Sequence, residues 1–476
     1  GACFCDISTG EVSATAFSGR DWQEHLFNEL GRFAPREAVL DTAAWEDVEL
    51  REFLRLRLDC RCELGREEDF APDRAMETAR KQFRTGLEDL PGEAEAAVRA
   101  CGGLLIYLYE TQKTDLSHLT AFRYYTGGEF MELDLTARRN LELTETMRGK
   151  EKKGSLLWVL DKTRTAMGHR LIRSWMERPL LSPVQVNKRL DAVEDLVGDA
   201  IARQEIAECL REVTDLERLI GRIVYGTAGA RDLVALSGGL GKLPRLRALL
   251  APFRSSLLTV LRESIDDLQD LREHIARALV EEPPFSVREG GFIKAGYNSD
   301  VDYLRDIMTN GKSMVASIEQ SEREKTGIKN LKVGYNKVFG YYIEVSKANY
   351  DLVPDTYIRK QTLVNCERFI TQELKELEHE ILSAQDRITA LEFELFCDLR
   401  EQAAAQVGRI QRSAAAVAQV DVLSSFAAVA AEQGYCRPEV DLSDAIEITE
   451  GRHPVVEKML KHALFVPNDT HMDNRD

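Results

Sequence analysis

Leu374, Leu377, Ile381, Ala384, Ile388, Leu391 and Leu395 follow one another at alternating steps of three and four residues. That repeat lays a continuous apolar seam along one side of a helix. A seam of this length stays wet unless a second helix covers it. The covering helix is found upstream, from Asp300 to about Lys325, with Val301, Leu304, Met308, Val315 and Ile318 on one side. The spacing therefore predicts two antiparallel arms. The second runs from about Cys366 to Gln406, and a β-rich insert at roughly 327–365 joins the two. At about 1.5 Å per residue, arms of roughly 25 to 40 residues reach roughly 40–60 Å. A compact core has no use for such reach; a chain that embraces a large partner does.

The insert differs in charge from the rest of the chain. The whole sequence has a formal net charge of −17. Within 329–365 the bases Lys329, Lys332, Lys337, Lys347, Arg359 and Lys360 outnumber the acids Glu344, Asp351 and Asp355. Tyr335, Tyr341, Tyr342, Asn336, Gln361, Thr362 and Asn365 are interleaved with them. Cations, amides and hydroxyls together make a palette for a phosphate backbone. On a strand, Lys332, Gly334 and Asn336 would face outward together while Leu331, Val333 and Tyr335 pack. The same composition also describes an ordinary solvated face. An acidic chain of this kind would touch nucleic acid only through a local basic patch.

The first hundred or so residues alternate strand and helix. Cys3 to Ile7 and Val12 to Phe17 flank the turn signal Ser8-Thr9-Gly10-Glu11, which predicts a hairpin. Trp22, Leu26, Leu30 and Phe33 share a helical face, Ala38 to Leu40 reads as a strand, and a helix follows around Glu46 to Leu54. This alternation predicts a sheet carrying helices. From about residue 106 the pattern is helical, broken by a hairpin expected at Phe122 to Leu135 around Tyr124-Tyr125-Thr126-Gly127-Gly128. Met167, Leu171, Ile172 and Trp175 form one stripe, and Pro179 ends that helix. Thr214 with Glu217 reads as a capping box ahead of Leu216, Leu219, Ile220 and Ile223. The tail from 438 returns to strands, with a turn at Glu450-Gly451-Arg452-His453-Pro454 and a short helix at Val455 to Leu460.

Several chemistries find little support. The nine cysteines are irregularly spaced, unlike a secreted disulfide framework, and Cys3-x-Cys5 and Cys60-x-Cys62 lack the wider spacing that zinc sites favour. No run of eighteen apolar residues occurs. A cytoplasmic protein away from any membrane is the expectation. Asp6 stands beside a turn without a converging carboxylate set, and His453 lies in a tight turn. Neither G-x-x-x-x-G-K-[ST] nor G-x-S-x-G is present. The chain opens on Gly1 rather than Met and ends in polar residues, so a fragment of something longer is expected.

Longer motifs then narrow the reading. Asn330-Leu-Lys-Val-Gly-Tyr-Asn-Lys-Val-Phe-Gly-Tyr-Tyr-Ile-Glu-Val345 and Tyr357-Ile-Arg-Lys-Gln-Thr-Leu-Val-Asn-Cys-Glu-Arg-Phe369 resemble the clamp of the bacterial MutS family. So do the flanking Glu322-Arg-Glu-Lys-Thr-Gly327 and Glu373-Leu-Lys-Glu376. Leu133-Asp-Leu-Thr-Ala-Arg-Arg-Asn-Leu-Glu-Leu143 and Gly154-Ser-Leu-Leu-Trp-Val-Leu-Asp161 with Met167-Gly168 resemble its lever, or core, region. Ile448-Thr-Glu-Gly-Arg-His-Pro-Val-Val456 resembles the entry to its ATPase domain.

The resemblance implies a multidomain, mostly α architecture. Residues 1–105 would be a ribonuclease H-like α/β connector without nuclease activity. Residues 106–312 and 372–437 would be the two parts of a helical lever, 313–371 a small β-rich clamp at the tip of two antiparallel helices, and 438–476 the start of an ATPase domain. It implies DNA mismatch repair, with duplex DNA held by the clamp and MutL engaged by the connector. A homodimer is implied for the intact protein, with a monomer the alternative for this stretch. The candidate DNA contacts are Lys332, Asn336, Lys337, Lys347, Arg359, Lys360, Gln361 and Asn365. Phe465 and Asn468 match positions near the nucleotide base in an incomplete site. ATP and magnesium are implied for the intact family, whereas no cofactor and no catalysis are expected of this stretch without a P-loop. The family's mismatch reader, which precedes the connector and carries a Phe-x-Glu wedge, lies outside these residues. Two alternatives stay open: a paralogue acting on recombination junctions, and a coiled-coil scaffold that binds only proteins.

Overall fold

A computed structural model of the chain describes all residues except 84, 89, 113–115, 337–339, 461–463 and 474–476, and all described side chains except those of 312 and 382. The chain divides into two compact units. One holds Gly1–Ala228, Ala235–Arg272 and Arg400–Asp476; the other holds Gly229–Val234 and Glu273–Leu399.

The first unit opens with strand β1 (Ala2–Asp6) paired antiparallel to β2 (Glu11–Thr15). Asp6 makes the turn between them, its Oδ1 accepting from the backbone N–H of Ser8 at 2.8 Å and from its hydroxyl at 2.7 Å. Strands β3 (Glu37–Leu40) and β4 (Arg61–Leu64) form a separate parallel pair. Alternation along β1 serves two cores. Cys3 and Cys5 pack with Val12 and Ala14 against Val98, Cys101 and Leu105 of the helix Glu95–Gln112. Phe4 points the other way, stacking on Phe33 at 3.8 Å beside Leu30. Helices thus pack on sheet, as the strand–helix alternation predicts, with the strands divided between two small sheets.

The hairpin expected at 122–135 does not form. Arg123–Tyr124 is instead strand β5, parallel to β2, and Gly127–Glu129 is a single 3₁₀ turn. The next residue decides this. Tyr125 is buried at 5% exposure with its hydroxyl on Glu29, and a free hairpin turn could not bury it. The helix around Glu46–Leu54 is also broken, into Thr42–Glu46 and Val48–Glu52, because Asp47 caps a new start by accepting from the Leu50 N–H.

The helical remainder of this unit is built around one helix, Val407–Gln433, against which Ala166–Glu177, Pro183–Gly198, Leu216–Val224 and Ser256–Ser264 all pack. It is long and apolar enough to cross a membrane, but 67% of its most apolar window is buried inside the protein, as in a core helix. Its one buried charge, Asp421, accepts from the backbone N–H groups of Arg164 and Thr165 and from the Thr165 hydroxyl at 2.7–3.0 Å. Thr165 in turn caps Ala166–Glu177. The expected cap at Thr214 falls one residue later. Asp215 accepts from the Arg218 N–H, Glu217 is drawn to Arg170, and Thr214 donates to the Ala235 carbonyl.

The unit ends in strands β10 (Ile446–Gly451) and β11 (Asn468–Met472), paired antiparallel. Between them lies the helix Pro454–Met459, capped by the His453 ring.

The second unit carries the two arms, Ser299–Thr326 and Gln372–Ala404. Between them lies a four-stranded sheet in the order β6-β7-β9-β8, antiparallel throughout. The strands are β6 (Lys332–Asn336), β7 (Gly340–Ser346), β8 (Ile358–Thr362) and β9 (Cys366–Ile370). The insert is thus longer than its sequence suggests. Cys366 belongs to β9, and the second arm starts only where Thr371 caps the Leu374 N–H at 3.2 Å.

The arm seams also drift. On the first arm Ile307 is buried while Met308 is 43% exposed. On the second, the buried positions move from Ala384 and Ile388 to Glu392, Phe396 and Leu399, leaving Leu391 and Leu395 half-buried. A straight helix falls about 20° behind a seven-residue repeat with every heptad. Here that lag carries Phe396 onto Phe292 at 5.9 Å.

Candidate nucleic-acid interface

The sheet between the arms has one packed face and one wet face. Leu331, Ile343, Val345, Tyr357 and Phe369 form the packed side, together with Ile318 and Leu374 from the two arms. Partners in register share a face. Lys332 stands opposite Glu344, Glu344 opposite Arg368, and Arg368 opposite Gln361. These four residues form a row across all four strands on the outer face. Arg368 organises the row. Its Nε lies 3.2 Å from Glu344 Oε2, its Nη1 donates to Gln361 Oε1 at 3.0 Å, and its guanidinium sits 4.1 Å over the Tyr342 ring. Arg368 is missing from the site residues that the sequence indicates, and Tyr342 is among the interleaved aromatics but not among the expected DNA contacts. The signal was the alternation in Cys366-Glu-Arg-Phe369, which sets Arg368 opposite in facing to the packed Phe369.

The expected DNA contacts fall into groups. Lys332 and Gln361 end up on the outer row. Lys347 and Asn365 meet where two turns adjoin, the Lys347 N–H donating to the Asn365 carbonyl at 3.3 Å; both side chains are exposed. Lys360 is exposed at a bulge in β8. Asn336 closes β6 opposite Gly340, half-buried. Lys337 lies outside the described residues. Arg359 is the exception in facing: it stands opposite Phe369, and its Nε is 3.1 Å from Glu367, whose carboxylate is buried. Tyr335 does not pack as expected. It is 51% exposed at the end of its strand, tilted 4.9 Å from Tyr341.

Carboxylates of the arms hold the sheet. Glu319 of the first arm accepts from the Val333 N–H on edge strand β6 at 2.7 Å. Glu322 accepts from the Tyr357 hydroxyl at 2.6 Å, and burial together with that bond raises the phenol well above its ordinary range. Glu378 of the second arm accepts from the Tyr341 N–H at 3.2 Å. An edge strand's open N–H groups are a liability; here one is occupied by the helix that carries it. The arrangement makes a cation- and amide-bearing surface on a small sheet bolted to both arms. Such a surface can neutralise and hydrogen-bond phosphates, and among the described residues it presents no nucleophile–base pair.

Phe465 and Asn468 belong to the other unit. Phe465 is half-buried, and Asn468 is exposed at the start of β11, its amide donating to the Val466 carbonyl at 3.3 Å.

Comparison with known proteins agrees with this architecture. Residues 1–120 match the family model described as MutS domain II, and residues 136–427 match MutS domain III. The DNA mismatch repair protein MutS of Ruminiclostridium cellulolyticum is 47% identical over 473 residues, covering 99% of this chain and 54% of that protein. Its counterpart from Alkaliphilus oremlandii is 45% identical over 480 residues, covering 100% of this chain and 54% of that protein. The chain spans about half the length of the curated relatives it matches.

Proposed function

The chain belongs to the MutS family of DNA mismatch repair proteins, and from that membership we propose that its four-stranded sheet grips duplex DNA without regard to sequence. The observation that carries the reading is a small sheet with Lys332, Lys347 and Lys360 exposed, held to both long arms by Glu319, Glu322 and Glu378. Cations neutralise phosphates and release counterions, while neighbouring amides fix the register. Gln361 and Asn365 supply such amides, and Arg368 is added to the set. Arg359 serves the sheet through Glu367 and reaches a phosphate only with its remaining donors. The arms are the lever that moves the clamp, because carboxylates from both arms hold the sheet and make it follow them.

The domain assignment follows the same reading: 1–105 connector, 106–312 and 372–437 lever, 313–371 clamp, and 438–476 the entry to an ATPase domain. For the intact protein we propose ATP-dependent mismatch recognition by a cytoplasmic homodimer, with MutL as the connector's partner. Phe465 and Asn468 would lie near the nucleotide base. The 476 residues supply no G-x-x-x-x-G-K-[ST] cradle for its phosphates, so no hydrolytic step is assigned to them.

The test is fluorescence anisotropy of a labelled duplex across a salt series, with the chain and a Lys332→Gln, Lys347→Gln, Lys360→Gln variant. Each phosphate that the protein no longer neutralises lowers the slope of log K against log salt by about 0.9. The expected result is a slope smaller by about 2–3. An unchanged slope would remove the sheet from the DNA interface.

A further inference from the structure

The densest run of positive charge in the chain lies outside the sheet. Between Met147 and Gly154 stand Arg148, Lys150, Lys152 and Lys153, against Glu151 alone. All four cations are exposed. Four like charges within eight residues repel one another, and of the four only Lys152 is paired within the fold, with Asp161. The remaining cations are open to an external counter-charge.

The backbone of the loop is tied by hydrogen bonds. Its ends are tied by the Thr146 N–H on the Glu151 carbonyl at 2.9 Å, and the Lys150 N–H returns to the Thr146 carbonyl at 3.0 Å. The Glu151 N–H reaches the Thr146 hydroxyl at 3.2 Å, and Glu142 is turned inward onto the Met147 N–H at 2.7 Å. Lys150 adopts a left-handed backbone, φ 50°, which an L side chain takes only when the surrounding turn imposes it. A second tie fixes the neighbours. Asp161 holds Lys152 at 2.5 Å and His169 at 2.5 Å, and it also accepts from Thr163, the residue before exposed Arg164. Among the described residues Arg148, Lys150, Lys153 and Arg164 form no ion pair. The result is a loop of hydrogen-bonded backbone that presents unneutralised cations in the first unit.

We propose that this platform is a second, sequence-independent contact for a nucleic-acid backbone, separate from the sheet. Protein partners are anchored chiefly by aromatic and well-packed side chains, and residues 146–154 carry no aromatic. A phosphate backbone needs only correctly held cations. In a chain of net charge −17, a polyanion is drawn only to a local excess of cations such as this one.

The test uses the whole chain with Arg148→Gln, Lys150→Asn and Lys153→Gln together; Asn suits the left-handed position, and Lys152 is left to Asp161. The expected result is duplex binding weakened at least tenfold at low salt, a salt slope smaller by about 2–3, and a thermal melt like that of the parent. Because the sheet cations are untouched, a loop effect stands even where the Lys332, Lys347, Lys360 variant shows none. Parent-like duplex affinity and slope would overturn the proposal. Loss of binding to a polyglutamate peptide with duplex binding retained would overturn it in favour of an acidic protein.

Discussion

Arg359 places its Nε 3.1 Å from Oε2 of Glu367, a carboxylate only 5% exposed beneath the sheet. The contact is ionic rather than a well-aligned hydrogen bond. The Arg359 cation therefore has a structural duty that its position in a basic run conceals. Arg359→Ala leaves a buried carboxylate without its cation, at a cost of about 1–3 kcal/mol. The amides of β8 and β9 should then exchange hydrogen faster. Adding Glu367→Gln removes the stranded charge and should restore their protection, and DNA affinity in that double variant reads Arg359's own contact. Equal loss of protection in single and double variants would show that the pair does not hold these strands.

Glu319 makes a comparable prediction for the arms. Its Oε2 occupies the Val333 N–H on an edge strand and its Oε1 pairs with Arg323 at 2.5 Å. Glu319→Ala empties the acceptor, costs about 1–3 kcal/mol, and exposes the Val333 amide to exchange. Glu319→Gln keeps an oxygen in place and should protect that amide nearly as well. If both variants exchange alike, the carboxylate is not what secures β6.

A third prediction reverses an ordinary helix rule. Gly168 lies inside Ala166–Glu177, where replacing Gly by Ala would normally stabilise by about 1 kcal/mol. A Cβ there would fall 2.2 Å from Oδ2 of Asp421. The helix would have to shift away from a carboxylate held by three donor groups, so Gly168→Ala should destabilise by about 1–3 kcal/mol. A melting temperature at or above the parent's would show that the approach can relax.

These cases show where sequence reading stops. The arms, the insert and the core stripe Met167, Ile172, Trp175 are local periodicities, and periodicity is written in the chain. The strand pairings that set Lys332, Glu344, Arg368 and Gln361 in one row join residues up to 24 positions apart, from Glu344 to Arg368, and no spacing rule reports them. The seam drift to Phe396 needs a position for Phe292 on another segment. Thr214 and Asp215 are both acceptable caps by type, and Arg170 decides between them by drawing Glu217 away. Arg359 looked like its basic neighbours because burial of Glu367 is visible only in three dimensions.

Asp421 supplies a prediction in pH. Burial, opposed by bonds from Thr165 and Arg164, pushes its carboxyl up to about 6. The unfolded chain titrates near 3.9. A raised folded value means that the native state binds the proton more tightly than the unfolded one. The stabilisation from this group is therefore fully present below about pH 4 and lost as pH rises through about 6. At pH 5 it amounts to about 1.4 kcal/mol relative to pH 8. Asp421→Asn abolishes the titration, and it turns an amide toward the Arg164 or Thr165 N–H, so it destabilises at every pH. The gap between parent and variant, read by urea unfolding, should widen by about 1 kcal/mol from pH 7 to pH 5. Neighbouring Asp161, whose burial is outweighed by Lys152, Thr163 and His169 so that its carboxyl is held below its ordinary range, contributes the opposite slope to both proteins, so the difference reads Asp421 together with the repulsion between the two carboxylates. A gap that stays constant or narrows toward pH 5 would mean that Asp421 is ionised in the native state across this range.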